Sequence, residues 1–141
     1  MSVWQAIRRA TLLIPSGPQH DPERKHLHIV LNNPHPDATG ADKVLVVSVT
    51  GIPTHWQGYD PSCTLYPGEH PFIVKHSYVA YRYLELVDPA HLASQVQAKK
   101  FVAKPLLDEK FFAAVIQGLR DSPQTQPRFL RFFDSTLDDS A

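Results

Sequence analysis

Eight of the 141 residues are histidines, and two of them, His26 and His28, stand two positions apart in an apolar run. Histidine ordinarily titrates at a pKa of about 6.5, so it can both take and give protons near neutral pH. General acid–base catalysis is the chemistry such an enrichment could serve. In a strand, the spacing of His26 and His28 puts both rings on one face, directly after the cations Arg24 and Lys25. His70 sits between the Pro67-Gly68 turn and Pro71, and His55 lies in an aromatic loop. For each histidine, the competing role is a surface residue or a hydrogen-bonded structural one. The His26-x-His28 pair also has the geometry of two metal ligands on one strand. A third ligand, from His55 or His70, is not specified, and no Cys-x-x-Cys or His-Glu-x-x-His motif accompanies the pair. No metal and no other cofactor is therefore expected.

Trp56 and Tyr59 offer faces on which nucleic-acid bases could stack, with packing at the ends of the fold as the alternative. The single cysteine, Cys63, excludes an internal disulfide. Flanked by Ser62 and Thr64 with no cation beside it, it reads as a buried, inert thiol.

These side chains need elements to hold them. Thr11 to Ile14 is a short strand stopped by Pro15-Ser16-Gly17-Pro18, and His26 to Leu31 alternates as a second. Lys43 to Thr50 is β-branched, apolar on both faces, and stopped by Gly51 and Pro53. Cys63 to Tyr66 and Phe72 to Val74 read as short strands. Ser77 to Val87 reads as a long one, with Tyr78, Ala80, Arg82 and Leu84 opposite Val79, Tyr81 and Tyr83. Asp88-Pro89 then supplies an N-cap and an N1 proline for a helix continuing through Leu92 and Val96 to Lys99–Lys100. A second helix is predicted from Pro105 to Arg120, with Phe112, Val115, Ile116 and Leu119 as its apolar stripe. Phe129, Leu130, Phe132 and Phe133 form an apolar cluster that packs on the body. The expected fold class is α+β: a small β-barrel of about five to seven short strands with C-terminal helices packed on one side. The chain reads as a single domain, 1–141, with the barrel at about 9–87, the helical part at about 88–133 and a flexible acidic tail at 134–141.

Three segments in this order resemble the PemK/MazF family of toxins, which are SH3-like barrels. Lys25 to Asn32 (KHLHIVLN) is similar to the family strand that opens on a basic residue and ends in Asn. Val44 to Thr50 (VLVVSVT) is similar to the strand that ends in a functional Thr. His76 to Leu92 (HSYVAYRYLELVDPAHL) is similar to the run of Ser, a nearby Val, a Val-Asp pair and a following Leu. The resemblance covers about half the chain and implies metal-independent cleavage of single-stranded RNA.

Carried over by position, the catalytic pair is Lys25 and Thr50. The family has Arg-Pro where this chain has Lys25-His26, although Arg24 is adjacent. In that scheme Lys25 or Arg24 stabilises phosphate charge, Thr50 orients the phosphate, and His28 or His70 moves protons. Arg24, His26, Trp56 and Tyr59 bind RNA. The family setting implies an antitoxin protein as inhibitor and a homodimer. The alternative is a catalytically inactive barrel that binds protein or nucleic acid.

Composition constrains these readings. Lys plus Arg equals Asp plus Glu at 14 each, so the whole chain makes no electrostatic case for a polyanion, and any such surface must be local. Met1 to Arg9 lacks the apolar core of a signal peptide, and no run approaches the roughly 20 apolar residues of a membrane helix. A cytoplasmic location and no membrane partner are expected.

Overall fold

The run DKVLVVSVTG is so uniformly β-branched that it is buried on both faces, and it becomes the central strand of the sheet. The structure, a computed structural model, describes residues 3–17, 24–55 and 58–138. Its strands are β1 (Thr11–Pro15), β2 (Lys25–Val30), β3 (His35–Pro36), β4 (Asp42–Gly51), β5 (Thr64–Leu65), β6 (Ser77–Val87) and β7 (Val102–Lys104). The helices are α1 (Pro89–Gln97), α2 (Glu109–Asp121) and α3 (Pro127–Asp138). All pairings are antiparallel, in the order β5-β6-β4-β2-β1-β7, with β3 added beside β4. This is an α+β fold built on a curled half-barrel. Among the described residues the two edge strands, β5 and β7, do not pair with each other to close it.

One face of the sheet carries the main core. Leu27, Ile29, Leu45, Val47, Val49, Val79 and Tyr81 meet Phe112, Val115 and Leu119 of α2 and Phe129, Phe132 and Phe133 of α3. Each such large apolar side chain stabilises the fold by about 1.5–3 kcal/mol relative to an exposed one. The Tyr81 hydroxyl donates to the Val115 carbonyl at 2.6 Å, which satisfies its one buried polar atom.

The opposite face is covered over only part of its length. There Leu12, Val30, Val44 and Val46 pack with Leu92 of α1 and with Ala6 and Ala10 of the N-terminal segment. The helices therefore lie on both faces, not on one side as expected. Asp88 caps α1 by accepting from the Ala90 amide at 2.9 Å, and Asp108 caps α2 by accepting from Lys110 at 2.9 Å. Such a cap is worth about 1 kcal/mol.

Other boundaries moved as well. Helix α2 starts at Glu109, four residues after Pro105, because Asp108 is its cap. The chain between α1 and Pro105 supplies β7, which pairs Val102 with Leu13 and Lys104 with Thr11. The 72–74 segment is not a strand, and α3 carries helix through the start of the acidic tail to Asp138. Among the described residues, no helix is long and apolar enough to cross a membrane.

Candidate functional site

Alternation along β2 sends Leu27 and Ile29 into the main core and leaves His26 and His28 on the other face, beyond the reach of α1. The antiparallel register sets Ser48 of β4 directly across from His28. Thr50, two residues further along the same face, is paired with Tyr78 of β6. Together they border an open recess of about 430 Å³ on the uncovered part of the sheet. Ser16 closes it at the β1 end, and Tyr83 and Glu85 form its far wall.

Glu85 is on this face because β6 bulges. Val46 pairs with Glu85 and Ser48 with Ala80, so Tyr81 to Leu84 oppose Val47 alone. The bulge turns Leu84 into the core beside Tyr81 and shifts the phase of everything after it. The alternation expected of Ser77 to Val87, with Leu84 on the face opposite Tyr81, is thereby broken after Tyr81.

The hydrogen bonds decide what the rings can do. Nδ1 of His28 lies 2.9 Å from the His26 carbonyl, which has no proton to give, so Nδ1–H is the donor. In the neutral ring the lone pair then sits on Nε2. Burial holds the His28 pKa below its ordinary value, with the His26 charge acting in the same direction; the backbone bond opposes this without overturning it. Nδ1 of His26 lies 2.8 Å from the Ser16 hydroxyl, which also donates to the Ile14 carbonyl at 3.1 Å. Burial, followed by the nearby Arg24 charge, lowers the His26 pKa too. Both imidazoles are therefore neutral at pH 7.

Tyr78 is buried, and burial and then Tyr83 push its pKa up; a hydrogen bond with Thr50 and the Arg82 charge oppose the shift without cancelling it. Its phenol keeps its proton at neutral pH. The recess thus holds a neutral imidazole base, a protonated phenol and the hydroxyls of Ser48 and Thr50, the groups needed to move a proton off one oxygen and onto another.

The Tyr59 ring packs on Tyr78, with centroids 5.6 Å apart, but does not itself line the recess. Trp56 lies outside the described residues. Lys25 and Arg24 are exposed and line a neighbouring recess, which they share with His26 but not with Thr50. The structure therefore does not bring Lys25 and Thr50 into one pocket.

His70 is on the opposite side of the sheet. It is buried, its Nε2 is 3.0 Å from both the Thr11 hydroxyl and the Pro105 carbonyl, and its Nδ1 accepts from the Phe72 amide at 3.0 Å. Nε2 ties β1 to the segment before α2 while Nδ1 holds the adjacent loop at Phe72, so both ring nitrogens are engaged and the structure does not place His70 beside His28. The Cys63 thiol is buried, and that burial pushes its pKa up to about 11.

Ser16, Ser48, Tyr78, Tyr83 and Glu85 line the recess without being among the site residues expected from the sequence. Ser48 was signalled by its two-residue spacing from Thr50. Glu85 had no local signal, because its placement depends on the bulge.

A larger recess of about 560 Å³ lies between α3 and the turn after β2, and its polar groups serve structure. Asn32 there accepts from the Leu45 amide at 2.7 Å and donates to the carbonyls of Asn33 and Lys43, pinning β2 to β4. Among the described residues, no three His, Cys, Asp or Glu side chains gather as a metal-holding group. Compared with models of known protein families and with curated protein sequences, the chain matches none.

Proposed function

We propose that this protein is a metal-independent endoribonuclease that cleaves single-stranded RNA by attack of a ribose 2′-hydroxyl on the adjacent phosphate. The carrying observation is His28: its Nδ1–H is committed to the His26 carbonyl at 2.9 Å, and its Nε2 lone pair is left to a recess lined with hydroxyls. The 2′-hydroxyl proton passes to Nε2 of His28 as the 2′-oxygen bonds to phosphorus. The bond to the 5′-oxygen breaks, and that oxygen takes the proton of the Tyr78 phenol. The products are a 2′,3′-cyclic phosphate and a free 5′-hydroxyl. Thr50 and Ser48 donate hydrogen bonds to the phosphate oxygens. Arg24 and Arg82, whose charges already reach His26 and Tyr78, favour the developing negative charge.

The PemK/MazF likeness of the β2, β4 and β6 segments supports extending this reading to an SH3-like barrel, a homodimer and control by an antitoxin protein. Its functional Thr corresponds to Thr50, which borders the recess.

The test is cleavage of a labelled single-stranded RNA by the His28→Ala and Thr50→Ala variants. Loss of a general base costs about 10²–10⁴-fold, so His28→Ala is expected to lose at least 100-fold while its circular dichroism is unchanged. A chelator is expected to leave wild-type activity intact. Full activity in both variants would rule the assignment out. A binding module that does not cleave is the second reading, favoured by Lys25 opening onto a different recess from Thr50. RNA binding with no product from the wild-type protein would select it.

A further inference from the structure

A chain with as many acids as bases can still sort its charges in space, and here the sorting begins next to the candidate site. His26 forms part of the wall of the catalytic recess and also of a groove of about 250 Å³ on its far side. That groove has an apolar floor of Leu27, Val49 and Ile73 and carries Arg24, Lys25 and Lys75. Lys25 in turn belongs to the next recess, at the C-terminus of α1, where Lys99 and Lys100 join it. Among the described residues, no Asp or Glu lines either one. Five of the 14 cations of an electroneutral chain thus follow one another in two adjoining recesses. Lys99 and Lys100 have a local reason to be there, since cations suit a helix C-terminus. Arg24, Lys25 and Lys75 are at no helix end. Phe72, exposed on the groove, has the Lys104 ammonium 5.9 Å from its ring centre.

Cations in series with an aromatic face at the rim suit a flexible phosphate backbone whose bases can stack. We infer that the single-stranded RNA flanking the cleavage site runs past His26 along this basic track, its phosphates neutralised by Lys75, Arg24 and Lys25 and then by Lys99 and Lys100. This rests on the RNA reading of the neighbouring recess and assigns the binding site that gives an electroneutral protein its affinity for a polyanion.

The test uses a fluorescent 2′-O-methyl RNA dodecamer, which lacks the attacking hydroxyl, so that binding is measured apart from cleavage. Its anisotropy is titrated at several salt concentrations. For single strands each phosphate contact contributes about 0.7 to the slope of log affinity against log salt. The Lys75→Ala/Lys100→Ala variant is therefore expected to have a slope shallower by about 1.4. Both side chains are exposed, and a matched melting temperature shows that the variant is folded. Lys75→Glu is expected to weaken binding more than Lys75→Ala. Equal slopes in the wild type and the double variant would overturn the track. Tighter, lysine-dependent binding of a polyglutamate peptide than of RNA would overturn it in favour of an acidic protein segment. If the wild type cleaves RNA while the slopes are equal, the nuclease reading survives and the track does not. If the wild type fails to cleave while the slope difference holds, the track survives alone.

Discussion

His28 has two nitrogens with different roles, and the backbone assigns them. The carbonyl two residues earlier accepts from Nδ1, so only Nε2 can act as a base, and burial keeps the ring neutral under ordinary conditions. A base works in its unprotonated form, so kcat/KM should rise with pH through the pKa of the free protein's ring and then level. Because that pKa is lowered, the acidic limb should fall below the ordinary histidine value of about 6.5. A pH profile of cleavage measures it directly, and a limb centred above that value would exclude His28 as the base. His26 and His28 were legible by period, since residues two apart on a strand share a face, whereas Thr50 was marked only by the family resemblance, because its strand is apolar on both faces. His70 shows where such reasoning stops. A histidine held between a turn and a proline reads the same whether it faces a substrate or, as here, a threonine and a backbone carbonyl.

At the scale of elements, the contact of α2 with the sheet depends on a residue with no side chain. A Cβ on Gly118 would collide with the Tyr81 hydroxyl and come within 2.8 Å of the Cys63 Cβ. In an open helix, Gly→Ala is favourable by about 1 kcal/mol. Here overpacking of about 1–3 kcal/mol opposes it. Gly118→Ala is therefore expected to lower the urea midpoint, and to lower it less in a Tyr81→Phe background, where the colliding hydroxyl is gone. Additive effects of the two substitutions would show that this contact does not set the helix position. Most elements were legible because their patterns are local: the runs of β1, β2 and β4, the Asp88-Pro89 cap and the Phe112 stripe each identify themselves. The two-residue β3 and three-residue β7 were not, since strands so short are defined by their partners, Lys43 and Asp42 for β3 and Thr11 to Leu13 for β7. The bulge in β6 was hidden for the same reason, and with it Glu85, because a bulge is a mismatch between two strands and appears in neither alone.

For the molecule as a whole, the joints between sheet and helices are made by buried titratable groups, and their shifts predict how it responds to acid. Burial lowers the pKa of His70, and a proton on Nδ1 would also remove the acceptor of the Phe72 amide. Asp60 joins the loop after β4 to the end of α2 through the Ser122 hydroxyl. Burial alone would raise its pKa, but the bonds from Ser122 and from the Ser62 hydroxyl and amide hold it below the usual carboxylate range. For the histidines, the unfolded ring takes a proton at about 6.5 while the folded one resists, so the unfolded state binds more protons and stability falls as pH drops below that value. His26 and His28 act in the same direction. For Asp60, stability is complete above the ordinary carboxylate pKa of about 3.9 and is lost as pH falls through the depressed folded value. Loss should therefore come in two stages, and urea midpoints measured from pH 8 to pH 3 would resolve them. Asp60→Asn should lower the midpoint at pH 7 and remove much of the second stage while leaving the first, because the amide cannot be ionised. A midpoint that stays level between pH 7 and pH 5 would mean that the buried histidines are not held neutral by the fold, and the proposed neutral base in the recess would lose its physical support with them.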